Sequence, residues 1–198
     1  VIYFKLIKIM FTLSLKALYK ILKDHVICVY YNFGEVIIEV ESDKLKQVIL
    51  FLKDHENCMF KLLVDIVVID FPENASRFKV VYNLCSIKHN LRIKLSTTVD
   101  EITPLMSITS LYKNANWLER EVWDMYGIYF EEHPDLRRIL TDYGFEGYPL
   151  RKDFPLSGFK EVRYDDSQKR VILESLELTQ ECRIFSFNSS WVENKITN

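Results

Sequence analysis

A chain of 198 residues with 48% hydrophobic and 27% charged side chains can bury a sizeable core, which excludes a disordered or fibrous class. A net charge of −2 gives no global attraction to nucleic acid, so an RNA or DNA role would need a local patch. The four cysteines, Cys28, Cys58, Cys85 and Cys182, lie far apart and form no CxxC pair, so they read as free thiols in a reducing compartment.

In chain order, residues 5–23 read as an amphipathic helix. Leu6, Ile9, Met10, Leu13, Ala17 and Ile21 recur at helical spacing, and Lys5, Lys8, Lys16, Lys20 and Lys23 gather on another side. The helix packs on a sheet or lies on a membrane surface. The longest charge-free piece there, Ile9 to Leu15, is far short of the roughly 20 residues a transmembrane helix needs. Scarce Ala beside abundant Ile, Phe, Tyr, Lys and Asn follows AT-rich coding, as in organelle genomes.

Val26–Tyr31 and Val36–Glu41 are β-prone runs joined by a turn at 32–35. Ser42 opens a helix whose Leu45, Val48, Ile49 and Leu52 form one apolar face. Lys61–Phe71 is strongly β-branched. Arg77–Ile87 alternates, with Phe78, Val80, Tyr82 and Leu84 on one face, and Leu91, Ile93 and Leu95 continue as a strand. The order β-β-α-β-β-β with hairpin-length links predicts an α+β, two-layer domain: a mixed, largely antiparallel sheet with helices on one face.

Pro104 predicts a short helix to Tyr112. Residues 116–158 then hold four of the five glycines, three of the five prolines and two of the three tryptophans. Asn116 is a candidate N-cap with Glu119 completing a capping-box-like pair, and Gly127 ends the helix. Arg120 and Asp124, one turn apart, predict an exposed ion pair. Pro134 predicts a second helix to Leu140, with Asp135, Arg137 and Arg138 in dipole-favourable order. From Thr141 to Lys160 there is no period, yet Tyr143, Phe145, Tyr148, Leu150, Phe154 and Leu156 are too apolar for a solvated linker. The domain is therefore drawn at 1–140, and 141–198 as an extended irregular arm laid on other proteins. Within it, Glu161–Tyr164 and Arg170–Leu178 read as strands and Phe185, Phe187 and Trp191 as partner-seeking residues.

Glu119, Glu121 and Asp124 resemble an acid–base cluster, but one-helix spacing does not set the cross-cleft separation that paired catalytic carboxylates need. His133, Asp135 and Asp142 can be imagined as metal ligands; His133 reads better as a capping or interface donor. Arg137, Arg138, Arg151 and Lys152 make a basic patch among aromatics that could stack bases. Interleaved Asp135, Asp142, Glu146 and Asp153 counter that footprint and favour charge-paired protein contact. No GxGxxG, GxxxxGK[ST] or GxSxG occurs, so nucleotide binding and serine chemistry have no local support.

Glu119-Arg120-Glu121, Asp124-Met125-Tyr126-Gly127 and His133-Pro134-Asp135-Leu136-Arg137-Arg138-Ile139-Leu140 together resemble the signature of the thirty-kilodalton subunit of respiratory complex I, the proton-pumping NADH:ubiquinone oxidoreductase. Pro149-Leu150-Arg151-Lys152-Asp153-Phe154-Pro155-Leu156-Ser157-Gly158 and the tail from Val162 to Val171 are similar to the family's next blocks, and the resemblance runs from about Ser76 to Trp191. Tyr148 departs from the family's usual His. The tail separates this chain from chloroplast-type relatives and from the equivalent hydrogenase subunit. The resemblance implies a non-catalytic, cofactor-free scaffold of the quinone-reducing module, on the matrix side of the mitochondrial inner membrane. Its partners would be the large quinone-cavity subunit and the terminal-cluster subunit, while FMN, iron–sulfur clusters, NADH and ubiquinone are handled elsewhere in the assembly. It also implies that Glu119, Arg120, Glu121, Asp124, His133, Asp135, Arg137, Arg138, Arg151, Lys152 and Asp153 serve as interface and arm-positioning residues.

Overall fold

A computed structural model describes residues 22–32, 35–183 and 185. The N-terminal helix expected over 5–23 lies outside the described residues up to Ile21, as do Phe187 and Trp191 of the tail. The chain divides into two compact units, Val1–Phe154 and Pro155–Asn198.

The first unit is built on a five-stranded sheet of β1 (Val26–Asn32), β2 (Glu35–Val40), β3 (Leu62–Asp70), β4 (Phe78–Ser86) and β5 (Leu91–Val99), in the order β1-β2-β5-β4-β3. Every neighbouring pair is antiparallel except β2 and β5, which run parallel. The mixed, largely antiparallel sheet therefore stands as expected. Alternation sets which side chains face the core: Phe78, Val80, Tyr82 and Leu84 of β4 are buried, in register with Val99, Thr97, Leu95 and Ile93 of β5.

A 3₁₀ turn at Ser42–Lys44 leads into helix α1 (Leu45–Asp54), and Leu45, Val48, Ile49 and Leu52 are fully buried. Each such side chain contributes about 1.5–3 kcal/mol relative to exposure. The opposite face of the sheet divides in two. Towards β2 and β5 it carries the ion pairs Lys79–Glu39 and Lys94–Glu35, whereas along β3 it presents Leu62, Val67 and Ile69 to solvent.

The helix expected over 104–112 does not form. Leu105 and Ser107 donate instead to the carbonyls of Tyr129 and Glu131, making β6 (Leu105–Met106) a parallel partner of β7 (Phe130–Glu131). Between them lies α2 (Ala115–Tyr126), closed by Gly127 with φ +77° and its N–H on the Trp123 carbonyl. The N-cap is Asn114, two residues before the expected Asn116, and its side chain makes no capping bond.

No helix forms over 134–140 either. The second unit contains a hairpin of β8 (Lys160–Asp165) and β9 (Arg170–Ser175). The expected arm begins at 141, while the compact units part at Phe154/Pro155, so residues 141–154 sit within the first unit.

Candidate functional site

Helix α2 projects two carboxyl groups five residues apart, and both are fully buried. They share no donor. Glu119 accepts from the Ile108 N–H at 2.8 Å and the Ser107 hydroxyl at 2.7 Å, so the expected capping box is absent. Ser107 is in turn 2.9 Å from the Thr109 hydroxyl. Burial pushes the Glu119 carboxyl up to about 7, because two neutral donors only partly replace lost water.

Asp124 has the opposite surroundings. Its oxygens accept from the N–H groups of Ile139, Leu140 and Thr141 at 3.1, 2.7 and 2.8 Å, the Thr141 hydroxyl at 2.6 Å and Arg138 at 3.0 Å. Burial alone would raise its pKa; the Thr141 hydroxyl and the three backbone donors outweigh that and hold it at about 2. This convergence is why residues 134–140 are not helical: backbone donors that a helix would turn inward point at one carboxylate. Arg120 therefore has no ion pair with Asp124, and its guanidinium donates to the carbonyls of Arg137 and Arg138.

His133 acts as a local cap. Its Nδ1 accepts from the Asp135 N–H at 3.1 Å, and its Nε2 lies 3.2 Å from the Asn116 carbonyl and 3.9 Å from Glu119. Asp135 and Arg137 form a surface pair at 2.9 Å, worth little in water, and Glu121 is exposed. His133, Asp135 and Asp142 make no metal cage; among the described residues no group of three His, Cys, Asp or Glu could hold one.

The next segment is held by a second staple. Asp70, at the end of β3, takes a bidentate grip from Arg77 at 2.7 and 2.8 Å and a bond from the Lys152 N–H at 2.8 Å. Arg77 also reaches Glu101 at 2.7 Å and Asp153 at 3.0 Å. The Arg77 guanidinium holds both the Asp70 and Asp153 carboxyls below the usual range. Arg151 donates to the Tyr126 carbonyl at 2.7 Å and reaches Glu101 at 3.3 Å, while Lys152 stands over the Phe71 ring.

Tyr148 fills the remaining gap. Arg138 and Arg151 lie 5.3 and 4.6 Å from its ring centre, Trp123 meets it edge-on, and a Cβ at Gly127 would come within 2.5 Å of it. The Tyr148 ring is thus held by two guanidinium groups and packed close on a glycine.

Most of the expected site residues are therefore brought together, but as internal bonds within one unit. Sequence reasoning missed Ser107, Thr141, Asp70, Arg77 and Glu101. The signal available for the last three was charge at the ends of apolar strands, where a lone Asp or Arg needs a partner.

The description "Respiratory-chain NADH dehydrogenase, 30 Kd subunit" belongs to the family model that matches residues 38–160. NADH-ubiquinone oxidoreductase subunit 9 of Reclinomonas americana is 53% identical over 181 residues, covering 91% of this chain and 89% of that protein. NADH dehydrogenase [ubiquinone] iron-sulfur protein 3 of Beta trigyna is 57% identical over 153 residues, covering 77% and 80%. An NADH-quinone oxidoreductase subunit of Paramagnetospirillum magneticum is 53% identical over 158 residues, covering 80% and 79%. Among solved structures, a chain of the membrane-bound sulfane sulfur reductase, an archaeal respiratory membrane complex, matches with a TM-score of 0.61 at 23% identity, covering 72% of this chain and 86% of that one. That likeness speaks to the fold alone.

Proposed function

This chain belongs to the family of 30 kDa subunits of the respiratory-chain NADH dehydrogenase, and from that membership we propose that it is a cofactor-free scaffold of the quinone-reducing module. It is a subunit of an oxidoreductase complex of the NADH–ubiquinone type, working in a hetero-oligomer. Its location is mitochondrial. The proposal puts it on the matrix side of the inner membrane, against the large quinone-cavity subunit and the terminal-cluster subunit. No helix among the described residues is long and apolar enough to cross a membrane.

One observation carries the scaffold reading. On the β8–β9 hairpin, Val162, Tyr164, Val171 and Leu173 share a face and are 56–63% exposed, while Glu161, Arg163 and Glu174 take the other. A two-stranded sheet is marginal by itself in water, and its apolar face needs a partner. The thiols support the cofactor-free reading. Cys58 is buried with its pKa pushed up to about 11 by burial, Cys28 donates to Glu39, and all four cysteines are free. Thiols dispersed in this way do not converge on one iron site, and the raised pKa of Cys28 and Cys58 disfavours the ligating thiolate there.

Affinity purification of the tagged chain under mild detergent, with mass spectrometry and iron analysis, tests both halves. Co-purification of other complex I subunits, and no iron on the isolated chain, is the expected result. Purification alone would overturn the assembly reading, and stoichiometric iron on the isolated chain would overturn the cofactor-free one.

A further inference from the structure

Asp124 and Glu119 sit on one helix, equally buried, yet only Asp124 has a guanidinium among its donors. The donors to Glu119 are a hydroxyl and a backbone N–H. The groups that act on it from other elements are Tyr82 of β4, whose hydroxyl is fully buried without a hydrogen-bond partner and feels the Glu119 charge, His133 after β7, and Lys46 of α1, which is engaged with Glu132. His133 stands 3.9 Å from Glu119 without a hydrogen bond to it: its Nδ1 accepts from the Asp135 N–H and its Nε2 lies against the Asn116 carbonyl. A buried carboxylate with no cation in contact is strongly disfavoured against its neutral acid.

The oxygen chain beside it suits either state. Glu119 Oε2, Ser107 Oγ and Thr109 Oγ1 follow one another at 2.7 and 2.9 Å, and Thr109 is 9% exposed whereas Glu119 is not exposed at all. With Glu119 ionised, the Thr109 hydroxyl donates to Ser107 and Ser107 to the carboxylate. With Glu119 protonated, the acid O–H donates to Ser107 and Ser107 donates outward to Thr109. Each oxygen keeps its bonds in both directions.

We propose that Glu119 is an internal proton-binding site, filled and emptied through a two-hydroxyl wire formed by Ser107 and Thr109. On release, the Glu119 O–H bond breaks as its proton passes to Ser107 Oγ. The Ser107 proton passes to Thr109 Oγ1, and the Thr109 proton leaves to water. Filling reverses each transfer, and no other reactant is involved. The loaded site is neutral; the emptied site places a charge beside the unpartnered Tyr82 hydroxyl, so the pocket responds to pH near neutrality. This holds for the chain alone and does not depend on its place in an assembly.

Infrared titration of the full chain labelled at glutamate carboxyls tests it. The expected result is a protonated-acid band that persists past the range where exposed glutamates ionise, titrates with a midpoint near 7 and is missing in Glu119→Gln. Thr109→Val keeps the Ser107 bond but cuts the wire, and is expected to slow proton–deuteron exchange of that band by about tenfold or more. A band that vanishes near pH 4.5, the ordinary value for Glu, overturns the site, as does one unchanged in Glu119→Gln. Exchange that is equally fast in Thr109→Val overturns the wire. If Glu119→Gln fails to fold, the slowed exchange of the labelled band in Thr109→Val assigns it.

Discussion

Residues 141–154 and 155–178 fall in one expected arm when read from the sequence, but they satisfy themselves differently. In the first, Thr141, Gly147, Arg151, Lys152 and Asp153 all bond to the surrounding domain, and Tyr148 fits over Gly127. In the second, hydrogen bonds run mostly between β8 and β9, and an apolar face is left exposed. Irregular backbone therefore does not by itself signify an arm. What separates the two is whether the segment's polar groups find buried acceptors in its own domain.

The largest effect that could break this comparison lies at Asp124. Asp124→Ala strips five donors of their acceptor and should cost about 3–5 kcal/mol. Thermal unfolding gives the size, and hydrogen exchange should show lost protection at residues 139–141 while the β8–β9 hairpin is unchanged. Arg77→Ala leaves the buried Asp70 without its guanidinium and with only the Lys152 N–H as donor, for an expected loss of about 3 kcal/mol.

Acid titration reads the same staple. The folded Asp124 carboxyl titrates near 2, below its ordinary 3.8, so its contribution is fully present above about pH 4 and is lost as pH falls towards 2. The loss amounts to about 2 kcal/mol and should be absent in Asp124→Asn. Glu119 has the opposite sign. With a folded value near 7 above its ordinary 4.5, it favours the fold most below pH 4.5, and that contribution is lost as pH rises through 7.

Smaller still, Gly127→Ala combines a positive φ with a Cβ driven into the Tyr148 ring, at about 2 kcal/mol. In a double-mutant cycle, Tyr148→Ala should recover only the steric part. Least of all, Val171→Ser on the hairpin should change the stability of the isolated chain by under about 0.5 kcal/mol, because that face is already solvated. Its effect should fall on recovery of partner subunits.

Much of the sheet was legible because period-2 patterning is a local signal. Phe78, Val80, Tyr82 and Leu84 announced their face, as did Leu45, Val48, Ile49 and Leu52 at helical spacing. The site was legible as a cluster but not as a set of bonds. Glu119 looked like a cap and Arg120–Asp124 like a surface pair because nearest-neighbour spacing was the only geometry in hand. Their actual partners, Ser107, Arg138 and Thr141, depend on where distant chain returns. Helices at 104–112 and 134–140 failed for the same reason: strand pairing at Leu105 and the Asp124 carboxylate took backbone groups that local propensity had assigned to turns of helix.

The most direct test of the account compares the full chain with one ending at Phe154, measured for unfolding and for incorporation into the NADH–ubiquinone oxidoreductase complex. The account predicts that the shortened chain keeps the cooperative transition of the first unit, with residues 139–154 still protected, but is not incorporated. Normal incorporation of the shortened chain would contradict it.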